Sequence, residues 1–211
     1  MKAIIIGGGN APSKELLEEE LADADVLICA DGGGECLYKY NKVPDYLLGD
    51  FDSIDKEILE FFIHSNCVTK TYPAEKDCTD GEICFNKAIE LKASSITMLG
   101  FTGSRIDHFL GNLGLLERSL AYGVKGIIRD NNNKILIVNK SCAILAEKGK
   151  FISFQAYNGM VENLCLIGAK YPLAGYRLLK GDLRTISNEF IASEIEVKFD
   201  SGLLLIIIAS D

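Results

Sequence analysis

Val26-Leu27-Ile28-Cys29-Ala30-Asp31-Gly32-Gly33-Gly34 is the stretch on which the fold turns. Five apolar residues run without alternation and stop at an aspartate and three glycines. A strand with no polar face is buried on both sides, as in a parallel sheet. The glycines mark the turn that follows. The same unit recurs on either side. Residues 3–6 form a short apolar strand ending in Gly7-Gly8-Gly9, residues 46–48 lead into Gly49-Asp50, and residues 95–99 end in Gly100. Residues 67–70 and 125–129 read as further strands. Helical patterns lie between them: from the Ser13 cap to Leu21, onward from the 32–34 glycines to about Tyr40, over 55–62, from a Thr79-x-x-Glu82 capping box to about Leu91, and over 106–122. This alternation predicts an α/β fold, a doubly wound and mostly parallel sheet with helices on both faces.

The pattern changes at Asp130-Asn131-Asn132-Asn133, a polar, turn-prone cluster. It predicts a boundary between an α/β domain over 1–130 and a β-rich domain over 131–211. The second domain carries short β-type runs at 135–138, 143–146, 151–155, 164–167, 195–199 and 203–208. Turn residues separate them, which predicts an antiparallel sandwich or barrel.

Composition narrows the class. The chain has 211 residues, 48% hydrophobic and 25% charged, with a net charge of −8. Residues 1–130 hold 22 acidic and 13 basic residues, and residues 131–211 hold 8 and 9. An acidic chain without basic clusters is a poor nucleic-acid binder. No apolar run reaches the ~18 residues of a membrane span, and the N-terminal run is too short for a signal peptide. The seven cysteines are odd in number and form no C-x-x-C pair. That argues against a disulfide framework or zinc site and for a reducing cytoplasm.

Three acidic segments sit where strands give way to loops or helices: Gly49-Asp50-Phe51-Asp52-Ser53, Lys76-Asp77-Cys78-Thr79-Asp80 and Gly103-Ser104-Arg105-Ile106-Asp107-His108. In open α/β sheets ligands bind at that edge. Carboxylates gathered there repel one another unless a cation lies between them, and Mg2+ shares carboxylates with substrate phosphates. In an extended segment Asp50 and Asp52 share a face, against the plainer reading of an Asp-rich turn capped by Ser53. Asp80 opens a helix, where it serves the helix dipole or a phosphate site. Lys76 offers charge to phosphate, and Asp77 serves the site or pairs with Lys76. Arg105 offers a planar fork for phosphate. His108 reads as a structural hydrogen-bonder or a catalytic group, and Asp31 as a nucleotide contact or a helix cap.

These residues resemble thiamine pyrophosphokinases nearly end to end. The likeness runs through Ala30-Asp31-Gly32-Gly33, Pro44-Asp45, the Gly-Asp-Phe-Asp-Ser segment, Lys76-Asp77-x-Thr79-Asp80 and Arg105-x-Asp107-His108. It continues in Gly168-x-Lys170-Tyr171-Pro172-Leu173 and Ser187-Asn188-Glu189. The resemblance implies pyrophosphate transfer from ATP to thiamine, with Mg2+ as cofactor on Asp50, Asp52 and Asp80. It implies ATP contacts from Asp31, Gly32, Lys76, Asp77, Thr79, Arg105 and His108. Asp107 joins the aspartates as a catalytic candidate. It further implies a C-terminal β-sandwich and a homodimer with thiamine between subunits, Ser187 and Asn188 lining its pocket. Ser104, Cys78 and Gly81 depart from the family pattern, and the chain has no Trp, which leaves Tyr171 as one aromatic candidate for thiamine. Two rivals are a diphosphokinase for another heterocyclic alcohol, such as a pterin, and a non-catalytic nucleotide- or thiamine-binding protein.

Overall fold

A computed structural model describes residues 1–75 and 77–211. The chain divides into two compact units, Met1–Asn131 and Asn132–Asp211. In the first unit the strands are β1 (Lys2–Ile6), β2 (Val26–Ala30), β3 (Tyr46–Gly49), β4 (Val68–Thr71), β5 (Ser95–Leu99) and β6 (Lys125–Arg129). The helices are α1 (Lys14–Leu21), α2 (Gly34–Lys39), α3 (Lys56–Ile63), α4 (Asp80–Glu90) and α5 (Ile106–Ala121). The strands pair in parallel in the order β6-β5-β1-β2-β3-β4. The chain winds outward from β1 to β4, then returns to β5 on the other side of β1. That reversal places the topological switch between β1 and β5.

Pleating sends successive side chains to opposite faces. Ile4, Ile6, Leu27, Cys29 and Leu47 meet Leu16 and Leu17 of α1, Leu37 of α2 and Phe62 of α3. Ala3 and Ile5, also fully buried, point to the other face. There α4 lies over β1, β2 and β3 and buries Ile83, Cys84, Phe85 and Ala88. Each large side chain buried this way contributes about 1.5–3 kcal/mol before entropy is counted. The 26–34 stretch forms β2 as read, but Asp31–Gly33 makes a single 3-10 turn before α2 begins at Gly34.

One buried carboxylate belongs to the scaffold. Glu20 of α1 meets Arg129 of β6 at 2.5 Å and Lys2 of β1 at 3.0 Å. Burial alone would raise its pKa, but the hydrogen bonds from Arg129 and Lys2 outweigh burial and hold it below the ordinary carboxylate range. A lowered folded pKa adds stability that is complete above the unfolded value and lost as pH falls through the folded one. Glu20→Ala removes the buried partner of two cations and leaves Lys2 to the exposed Asp23 and Arg129 to the exposed Glu19, so it is expected to cost about 1–3 kcal/mol at neutral pH. Urea unfolding at pH 7 and at pH 3 should show that deficit shrinking in acid. An equal deficit at both pH values would contradict the pairing.

The second unit contains β7 (Asn133–Val138), β8 (Cys142–Leu145), β9 (Phe151–Ala156), β10 (Met160–Ile167), β11 (Leu173–Leu179), β12 (Asn188–Glu189), β13 (Glu194–Lys198) and β14 (Leu204–Ala209). They form two antiparallel layers, β12-β9-β14-β7 and β11-β10-β13-β8. Inward residues of both layers, among them Ile152, Phe154, Leu164, Leu166, Val197 and Ile206, share one core. This is the expected β-sandwich. β11 and β12 are additions to the strands read from sequence. Among the described residues no helix is long and apolar enough to cross a membrane.

Candidate active site

A cleft of about 650 Å³ opens at the carboxyl ends of the first unit's strands. Its walls are the glycine turns after β1 and β5, the segments after β2 and β3, and the first turns of α4 and α5. It therefore lies at the switch point where open α/β sheets bind ligands. The two glycine turns touch through backbone: the Gly9 N–H donates to the Gly100 carbonyl at 2.8 Å and the Asn10 N–H to Thr102 at 2.6 Å. A Cβ on Gly9 would stand 2.1 Å from the Thr102 oxygen, so only glycine permits this approach.

Asp31, Asp50 and Asp52 each offer a carboxylate oxygen, and these atoms lie within 4.8 Å of one another. Asp31 is 2% exposed. Its Oδ2 accepts from the Ser53 hydroxyl at 2.9 Å and the Ser53 N–H at 3.3 Å. Its Oδ1 has no hydrogen-bond partner among the described residues. Burial raises the Asp31 pKa, Ser53 opposes this, and the negative charges of Asp80 and Asp50 add to the rise. A buried carboxylate with an unsatisfied oxygen, facing two others, fits a hard divalent cation.

The approach of Asp50 and Asp52 has a different cause from the one expected. β3 ends at Gly49 and Phe51 takes φ 64, a left-handed backbone rare for a bulky residue. The Asp52 N–H then donates to Asp50 Oδ1 at 3.3 Å. A strained turn, not alternation along a strand, brings the pair together. Phe51 packs against the core beneath.

Asp80 lies on the same cleft as the first residue of α4, outside the compact triad but close enough to act on Asp31. Thr79 caps this helix by accepting from the Glu82 N–H at 3.2 Å. The expected capping box is half formed, because the Glu82 carboxylate pairs with Arg118 at 2.6 Å. Gly32, Thr79, Arg105 and His108 line the cleft. Asp77 is exposed and is not in the cleft wall. Lys76 lies outside the described residues. Arg105 and Asp107 form an ion pair at 2.5 Å, which brings the Asp107 pKa down to about 2. A carboxylate so tied is a weak proton acceptor. Residues not singled out beforehand also line the cleft, including Glu35, Phe101 and Asn112. Asn112 donates to the Phe101 carbonyl at 2.9 Å and ties that turn to α5.

Ser187 and Asn188 lie in the second unit. Ser187 is exposed, with φ 57, and its N–H donates to Ser153 Oγ at 2.9 Å. Asn188 is 2% exposed. Its Oδ1 accepts from the N–H of Tyr171 at 3.0 Å and of Glu189 at 2.9 Å. Its Nδ2 donates to the Tyr171 carbonyl at 2.8 Å. The Lys170 N–H donates to the Glu189 carbonyl at 2.9 Å, and Lys170 pairs with Glu189 at 2.6 Å. The segments around Tyr171 and Asn188, distant in sequence, are thus one structure that presents Tyr171 at the surface.

A doubly wound sheet with an acidic, glycine-walled cleft at its switch point defines an α/β protein built for phosphate-bearing ligands. The family description "Thiamin pyrophosphokinase, catalytic domain" matches residues 17–128, and "Thiamin pyrophosphokinase, vitamin B1 binding domain" matches residues 135–204. The chain belongs to the thiamine pyrophosphokinase family. It is 32% identical to the thiamine pyrophosphokinase of Bacillus subtilis over the whole of both chains. The crystal structure of a thiamine pyrophosphokinase from that organism superimposes with a TM-score of 0.91, covering both chains fully at 28% identity. A thiamin pyrophosphokinase from Candida albicans shares the fold, with a TM-score of 0.86 at 17% identity over all of this chain and 89% of its own.

Proposed function

We propose that this chain transfers the pyrophosphoryl group of ATP to the hydroxyl of thiamine, giving thiamine diphosphate and AMP. The observation that carries the reading is the carboxylate triad of Asp31, Asp50 and Asp52, of which Asp31 and Asp50 line the glycine-walled cleft and Asp52 is exposed beside them, in a chain of this family. Asp50, Asp52 and Asp80, with Asp31 beside them, would hold Mg2+, which when bound neutralises phosphate charge. The glycine turns let phosphates approach the backbone closely, and Arg105, held by Asp107, supplies a positive fork. The thiamine oxygen bonds to the β-phosphorus as the bond from that phosphorus to the α,β-bridging oxygen breaks, and AMP leaves. Positioning supplies most of the rate. The hydroxyl proton passes to a carboxylate of the acidic group rather than to Asp107, whose ion pair with Arg105 weakens it as a base.

The proposal includes domain roles, ATP and Mg2+ in the first unit and thiamine in the second, and a homodimer with thiamine at the subunit interface. The exposed Leu145, Leu183 and Ile191 of the second unit suit such burial. Residence in a reducing cytoplasm fits seven free cysteines.

Asp107→Asn is expected to slow turnover about tenfold by loosening Arg105, with no change in the acid limb of the pH–rate profile. A shifted acid limb would restore Asp107 as the base. The reaction itself is tested by AMP release from Mg·ATP with thiamine, with a pterin alcohol and with neither. Thiamine-dependent AMP supports the proposal. AMP formed only with the pterin, or none from folded protein, contradicts it.

A further inference from the structure

We propose that Phe101 and Gly81 are a fitted pair that positions the first turn of α4, and with it Thr79 and Asp80, against the nucleotide side of the cleft. The inference rests on the reading of that cleft as the Mg·ATP site. Phe101 lies two residues past the end of β5 and is 4% exposed. Its ring is wedged between two elements. On one edge, a Cβ at residue 81 would lie 2.8 Å from Cε1 and 3.2 Å from Cζ. On the other edge, a Cβ at residue 7 would lie 3.0 Å from Cε2 and 3.1 Å from Cδ2. The ring thus spans from the end of β1 to the start of α4.

Gly81 does not serve the helix, since glycine weakens a helix relative to alanine. Nor does its backbone require glycine, because Gly81 is absent from the left-handed positions. What excludes a side chain at 81 is the Phe101 ring. Asp80 is the immediate neighbour of Gly81 and lines the cleft. Any shift of this turn that makes room at 81 therefore moves Asp80. The absence of a side chain at 81 is what seats the large ring at 101. Phe101 and Gly81 are positioning residues that act through Asp80 and Thr79.

The test compares Gly81→Ala, Phe101→Leu, Phe101→Ala and the double variant Gly81→Ala/Phe101→Ala with the parent protein. Calorimetry with Mg2+ and a non-hydrolysable ATP analogue reads binding, thermal melting reads stability, and steady-state assays read KM for ATP and for thiamine separately. Gly81→Ala is expected to weaken analogue binding about tenfold and to leave the KM for thiamine unchanged. Phe101→Leu should weaken it in the same direction. The double variant, in which the new methyl enters space left by the ring, should bind more tightly than Gly81→Ala alone. Parent-like binding by Gly81→Ala or by Phe101→Leu overturns the pair. So does a double variant no better than Gly81→Ala. Equal increases in KM for ATP and thiamine, tracking lost stability, also overturn it, because they signal a merely structural role. Calorimetry does not depend on turnover. A parent that binds the analogue but releases no AMP sinks the proposed reaction and leaves the pair to be decided by the binding ratios. A parent that binds no analogue overturns both.

Discussion

Asp50→Asn is expected to lower turnover on the order of 10³-fold, roughly 4 kcal/mol of barrier, while the metal-free protein keeps or gains stability. Both effects come from one geometry. Carboxylate oxygens of Asp31, Asp50 and Asp52 within 4.8 Å of each other repel in the absence of a cation. Removing one charge relieves part of that like-charge repulsion. The same change removes a ligand that Mg2+ would share with phosphate. A second readout is independent of turnover. A cation that binds only the folded state adds about 2.7 kcal/mol of stability at 100 times its dissociation constant, so Mg2+ should raise the Tm of the parent and not that of the variant. Unchanged turnover at saturating Mg2+, or an equal Tm rise in both proteins, would remove Asp50 from the site.

Asn188→Ala is expected to cost about 2–4 kcal/mol of stability, because two backbone N–H groups and one carbonyl lose a buried partner. All three bonds go to Tyr171 and Glu189. The substitution therefore also frees the segment that carries Tyr171, and KM for thiamine should rise about tenfold with KM for ATP unchanged. Urea unfolding and the two KM values separate the possibilities. Lost stability with an unchanged KM for thiamine would make Asn188 purely structural. A raised KM with unchanged stability would mean that its side chain contacts thiamine itself, against the bonding seen.

Elements with strong local signals were legible. The unbroken apolar run of β2 and the long periodic pattern of α5 appear in the structure where the sequence places them. β11 was not legible, because Leu173–Leu179 exposes most of its residues and carries Gly175 with a positive φ. β12 is two residues long, and only its pairing with β9 makes it a strand. At the site, the residue types of the acidic group could be read, but not its construction. An Asp-rich turn is one of the two readings of residues 50–53, but the left-handed backbone at a residue as bulky as Phe51 has no local signal. The nearness of Asp31 to Asp50 and Asp52 depends on the parallel pairing of β2 with β3, which sequence spacing does not encode. Asn188, expected to line the thiamine pocket, bonds to the backbone of Tyr171, a contact across 17 residues that no local pattern announces.

The most direct measurement is the fate of label from ATP carrying ³²P at the β-phosphorus, incubated with Mg2+, thiamine and the full chain. Attack at the β-phosphorus predicts label in thiamine diphosphate and unlabelled AMP in equal amount to it. Label retained in ADP, with thiamine monophosphate as the other product, would show attack at the γ-phosphorus and contradict pyrophosphoryl transfer.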